Sequence, residues 1–74
     1  MKVTVKLFTT LRKGRFEVRD IEYPEGTTAG DIMKGLKFHK DEKIIIFINN
    51  VHAKESTLLR EGAVIAFFPP GGGG

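Results

Sequence analysis

The stretch Ala63-Val64-Ile65-Ala66-Phe67-Phe68-Pro69-Pro70-Gly71-Gly72-Gly73-Gly74 closes the sequence, and its three parts call for three different physical states. The apolar hexamer, bounded by turn residues and rich in β-branched and aromatic side chains, reads as a strand. Pro69 and Pro70 have a fixed φ and no N–H to give a neighbour, so they end that strand and act as a stiff spacer. Four consecutive glycines bring no side chain to a core and lose more backbone entropy on ordering than any other residue, so they are expected to form a mobile thread. Extended at about 3.3–3.6 Å per residue, the six residues from Pro69 would place a terminal Gly74 carboxylate roughly 20 Å from the body. Such a thread could enter a narrow pocket on a partner protein. A frayed end or a leftover linker has the same composition, so the preceding residues must decide.

Those residues make one small domain. The chain has 74 residues, a length at which only about 60% of the unfolded surface is buried, which leaves little room for a bulky active site. A hydrophobic fraction of 41% and a charged fraction of 28% of mixed sign favour a folded chain over a disordered one. There is no cysteine, hence no disulfide framework, thiolate nucleophile or cysteine-based zinc site, as suits a reducing compartment. Without a signal-peptide pattern or an apolar run long enough to span a bilayer, a cytoplasmic location and no membrane partner are expected. The formal charge of +3 is spread among both signs. Its densest cluster, Arg12-Lys13-Gly14-Arg15, reads as a solvated turn rather than a nucleic-acid contact, because no aromatic platform is interleaved with it.

Taken in order, Val3, Val5 and Leu7 alternate with Lys2, Thr4 and Lys6, the period of a strand with one buried face. Thr9 to Gly14 reads as a loop. In the next run Phe16 and Val18 share one parity and Ile21 and Tyr23 the other, which predicts a bulge near Arg19-Asp20 in a strand paired to the first as a hairpin. Thr28 and Asp31 have the spacing of a capping box, and a short helix over about Ala29 to Lys37 places Ile32, Met33 and Leu36 on one face. Gly35 weakens that helix, so packing against a sheet must hold it. His39 lies in a charged connection with no Ser, Cys or second His near it and reads as a surface residue. Ile44 to Ile48 is a central strand, Asn49-Asn50 a turn tolerant of positive φ, and Val51 to Ala53 a short edge strand carrying an exposed His52. Leu58-Leu59 are expected to anchor a loop, and Arg60-Glu61-Gly62 turns the chain into the last strand.

This ββαββ order, ending on Glu61-Gly62, an apolar strand, Phe67-Phe68-Pro69-Pro70 and a terminal double glycine, resembles the ubiquitin-like sulfur carriers, above all the MoaD-type small subunit of molybdopterin synthase, with the ThiS type next. The resemblance spans essentially the whole chain and implies an α+β, ubiquitin-like β-grasp over residues 1–68, a mixed sheet of four to five strands crossed by one short helix, with a tail over 69–74. The tail motif is the specific part; the strand and helix matches are generic. Two departures from the family pattern stand out. Ala63 stands where an acid commonly follows the turn glycine, and Gly71-Gly72 where a pair such as Val-Ala is usual, with the spacing from Pro70 to Gly74 kept.

The resemblance implies a carrier and substrate rather than a catalyst. An adenylating enzyme of the MoeB/ThiF type would use ATP to activate Gly74. A sulfur donor such as a cysteine desulfurase or rhodanese would convert it to a thiocarboxylate, and an acceptor such as the molybdopterin synthase large subunit would receive the sulfur. Gly74 is then the reacting acyl group and Gly73 the steric relief behind it. Phe68, Pro69, Pro70, Gly71 and Gly72 position the thread against partners, and no cofactor or metal is bound by the carrier itself. Two alternatives use the same residues: a protein modifier conjugated through Gly74, and a ubiquitin-like binding module with an inert tail.

Overall fold

The computed structural model describes residues 1–38 and 43–70. Along them run β1 (Lys2–Leu7), a 3-10 turn (Thr9–Arg12), β2 (Val18–Glu22), α1 (Ala29–Leu36), β3 (Ile45–Ile48), β4 (Val51–Ala53) and β5 (Val64–Phe68). Among the described residues the strands form one sheet in the order β2-β1-β5-β3-β4. β5 is its middle strand, parallel to β1 and antiparallel to β3. With α1 packed on one face, this is the mixed-sheet β-grasp that the sequence implies.

Alternation along β1 and β5 creates the two faces. Val3, Val5, Leu7, Ile65 and Phe67 are fully buried and meet Ala29 and Ile32 of α1. Met33 and Leu36 pack at the margin of that core. Complete burial of side chains this size is worth about 1.5–3 kcal/mol each, which holds a helix that carries Gly35 and only eight residues.

The helix start is closed on all sides. Thr28 Oγ1 accepts from the Asp31 N–H at 3.2 Å while Asp31 Oδ2 accepts from the Thr28 N–H at 3.0 Å, the reciprocal capping box. The Ala29 and Gly30 N–H groups donate to the carbonyls of Thr57 and Glu55 at 3.0 and 2.8 Å. A Cβ on Gly30 would stand 3.2 Å from the Glu55 carbonyl, so the absence of a side chain lets the helix approach this loop. At the other end Lys37 adopts a left-handed φ of 58°, and Arg15 crosses from the loop before β2. Its Nε donates to Leu36 O at 2.9 Å, Nη1 to Leu11 O at 3.1 Å and Nη2 to Lys37 O at 3.3 Å.

Several expectations change. β2 pairs with β1 in unbroken register from Lys2↔Glu22 to Lys6↔Val18, so there is no bulge. The parity shift arises because Val18 sits on the outer face, 53% exposed, while Phe16 precedes the strand. Arg12 to Arg15 is not a wholly solvated turn, because Arg15 caps the helix and lies 4.7 Å over the Phe38 ring, with Arg12 5.7 Å from Phe8. Basic and aromatic side chains are therefore interleaved after all. The stretch read as a loop from Thr9 contains the 3-10 turn. Leu59 anchors its loop, whereas Leu58 is 60% exposed. His39 lies outside the described residues. Asn49 and Asn50 do take positive φ, 51° and 67°, as a two-residue hairpin requires. His52 is exposed on the edge strand.

Candidate docking face at the base of the tail

Phe67 and Phe68 are consecutive in β5, so they point to opposite faces. Phe67 enters the core. Phe68 closes the outer face, the side away from α1, where it joins Phe8, Phe47, Val64, Ala66 and Lys6 around an open hollow of about 280 Å³. Phe8 and Phe68 stack with centroids 4.3 Å apart and planes 11° from parallel. Phe47 meets Phe68 edge-on at 5.6 Å, and His52 meets Phe47 in the same manner at 5.6 Å.

Local backbone geometry brings these residues together. The register sets Ile45 opposite Phe68 and Phe47 opposite Ala66, so Phe47 and Phe68 are diagonal neighbours on one face. Phe8 lies one residue past β1, where its N–H donates to Phe67 O at 3.2 Å; that bond turns its ring over the end of β5. Asn49 ties the far rim, its N–H donating to Val64 O at 2.8 Å and its Oδ1 accepting from Val64 N at 2.9 Å. The rings are half-buried, so a flat aromatic surface faces solvent where the chain leaves the sheet.

This arrangement supports binding rather than chemistry within the body. Among the described residues no group of three or more His, Cys, Asp or Glu is placed to hold a metal ion. No helix among them is long and apolar enough to cross a membrane. The resolved shifts in proton affinity lie away from the face. Burial raises the Tyr23 hydroxyl above its ordinary value, and the hydrogen bonds from Thr28 hold Asp31 below the ordinary carboxylate value.

Of the residues expected to position the tail, Phe68 is part of the face, Pro69 follows half-buried and Pro70 is exposed. Gly71, Gly72, Gly73 and Gly74 lie outside the described residues. Phe8, Phe47 and Lys6 are not among the residues that the sequence singles out. Phe47 sits in a run with no polar alternation to reveal its face, and Phe8 falls just beyond the strand pattern. A usable signal was the Phe67-Phe68 pair itself, because one of two consecutive strand residues must face outward.

The ThiS family profile matches residues 5–74. Among solved structures, molybdopterin converting factor subunit 1 from Pyrococcus furiosus superposes with a TM-score of 0.78 at 27% identity, covering 95% of this chain and 98% of that one. A chain in the complex of subunits 1 and 2 of molybdopterin-converting factor from Helicobacter pylori is 27% identical, with a TM-score of 0.67 and complete coverage, 100% of each chain. Small archaeal modifier protein 1 from Haloferax volcanii shares the fold at 22% identity, with a TM-score of 0.77 over 93% of this chain and 97% of that one. No curated protein matches.

Proposed function

Since this chain belongs to the ThiS family, we propose that it is a sulfur carrier whose C-terminal glycine is adenylated by a partner enzyme and then converted to a thiocarboxylate. A carboxylate oxygen of Gly74 attacks the α-phosphorus of ATP and expels pyrophosphate. The resulting acyl adenylate is open to a sulfur nucleophile at sulfide level, which adds to the carbonyl carbon as AMP departs. The product is a nucleophilic sulfur on a thread with no side chains to obstruct entry into an acceptor's channel.

The observation that carries this reading is the continuity of the aromatic face with the tail. Phe68 is both the last residue of the middle strand and the centre of the exposed ring cluster, so whatever grips the face also sets where the glycines begin. The likeness to subunit 1 from Pyrococcus furiosus and to a chain of the Helicobacter pylori complex supports an acceptor of the molybdopterin synthase large-subunit kind, and hence a role in molybdenum cofactor biosynthesis. The activating partner is an enzyme of the MoeB/ThiF kind that supplies the ATP site. The sulfur comes from a cysteine desulfurase or rhodanese, whose persulfide is reduced to sulfide level by thiols that end as a disulfide.

Incubation with the adenylating enzyme of the same organism, ATP and sulfide is expected to raise the intact mass by the exchange of one terminal oxygen for sulfur. Deletion of Gly74 is expected to abolish that gain while leaving thermal stability unchanged, because a surface terminus contributes little. An unchanged mass for the full chain under these conditions rejects the carrier. Lysine-linked conjugates in a lysate, without thiocarboxylate, would make the chain a modifier instead.

A further inference from the structure

Net charge is uneven along the strand axis. β1 runs from Lys2 to Leu7 toward the end where β5 delivers the tail. Carboxylates gather at the opposite end. Glu22 stands across from Lys2 and Glu61 accepts from the Lys2 N–H at 3.0 Å, beside the cations Lys2 and Arg60, and Asp31 lies in the first turn of α1. Asp20 lies midway, bonded to Thr4 at 2.6 Å. The tail end carries Lys6, Arg12, Lys13, Arg15, Lys37 and Lys43. Among the described residues its one carboxylate is Glu17, 3.7 Å from Arg12.

These cations are not equivalent. Arg12 and Arg15 direct their guanidinium groups to backbone carbonyls, so they are spent on the fold. Lys6 is different. Its strand neighbours are Val18 in β2 and Ala66 in β5, it lines the aromatic hollow beside Phe8 and Phe68, and among the described residues it makes no ion pair. Its aliphatic stem belongs to the apolar face while its ammonium emerges from it. A wholly apolar partner surface would strip water from that ammonium without compensation, a strongly unfavourable step. Lys43 adds a second cation two residues before Ile45, the backbone partner of Phe68, and Lys13 lies beyond the 3-10 turn.

We infer that the surface receiving this end of the protein is an apolar hollow rimmed by carboxylates, one of them opposite Lys6, and that the basic end steers the tail toward it. This rests on the carrier reading for the identity of the partner and adds the chemistry by which the partner is recognised. Opposite charge at a rim acts mainly on the rate of encounter and on choice of partner, so the signature lies in kcat/KM for the carrier and not in kcat.

The test uses the full chain and the adenylating enzyme of the same organism. With ATP and sulfide present, it follows pyrophosphate release against carrier concentration from about 0.02 M to about 0.5 M salt, over which the Debye length shrinks from roughly 20 Å to roughly 4 Å. The wild-type kcat/KM is expected to fall about tenfold or more across this range. At low salt, Lys6→Glu and the pair Lys13→Glu with Lys43→Glu are each expected to lower it about tenfold with kcat and Tm unchanged. Lys2→Glu with Arg60→Glu, the same charge change at the opposite end, is expected to leave it unaltered. A salt-independent kcat/KM, or opposite-end reversals as damaging as those at the tail end, overturns the acidic rim while adenylation itself continues. Absence of adenylation at every salt concentration rejects the carrier reading, and the rim with it.

Discussion

Phe67→Ala and Phe68→Ala change neighbouring residues in one strand and are expected to behave oppositely. Phe67 is 0% exposed in the core, and deleting a buried Phe side chain costs about 3–5 kcal/mol through lost transfer energy and the cavity left behind. A chain of 74 residues has roughly 4–11 kcal/mol of total stability at 0.05–0.15 kcal/mol per residue, so Phe67→Ala removes a large share of it and leaves the domain partly unfolded near physiological temperature. Phe68 has one face open. It forfeits about half the transfer term of a buried aromatic, roughly 1–1.5 kcal/mol, and up to about 1 kcal/mol for its stacked and edge-on contacts. Urea unfolding followed by far-ultraviolet circular dichroism, suited to a chain without tryptophan, separates the two by midpoint at constant m-value. The second readout is the initial rate of thiocarboxylate formation at a temperature where both variants are folded. Phe68→Ala is expected to slow it at least about tenfold, as loss of a central aromatic contact does at interfaces, with Phe67→Ala close to wild type per folded molecule. Equal destabilisation by the two changes, or normal docking by Phe68→Ala, would refute the assignment of faces.

Arg15→Lys is expected to destabilise nearly as much as Arg15→Ala, by about 2–3 kcal/mol in urea titrations, because an ammonium cannot span the carbonyls of Leu11, Leu36 and Lys37 that the planar fork reaches. Asp31 has a folded-state proton affinity depressed by the Thr28 hydrogen bonds from an ordinary value of 3.8. Its contribution is therefore complete above that value and lost as pH falls through the depressed one, and Asp31→Asn is expected to flatten the acid limb of a Tm-against-pH curve below about pH 4 without steepening it above. Gly35→Ala places a methyl in open space within the helix and is expected to raise stability by about 0.4–1 kcal/mol. Gly62→Ala meets a φ of 80° and is expected to lower stability by about 1 kcal/mol, so thermal melts should move in opposite directions.

Legibility in the sequence followed the strength of local signals. β1, the capping box at Thr28 and Asp31, the Asn49-Asn50 turn and the strand ending at Phe68 each carry their own periodicity or stereochemical demand, and each stands where the residues place it. β2 was misread because an exposed Val18 looks, in one dimension, like a core residue out of phase. Only the register against β1 shows that it faces outward. Arg15 was opaque for a related reason, because its partners Leu36 and Lys37 are more than twenty positions away, and nothing in a basic turn announces a distant helix end to cap. The docking face shares this character. Phe8, Phe47 and Phe68 come from three segments that meet only through the sheet order, so no local signal announced the surface they form.

The middle position of β5 also governs how the protein bears load. A pull on the tail runs along a strand flanked by hydrogen bonds to β1 on one side and β3 on the other. Detachment must therefore shear both ladders together, whereas an edge strand could be peeled one bond at a time. A load on the tail thus meets both ladders at once and leaves the body that holds it intact.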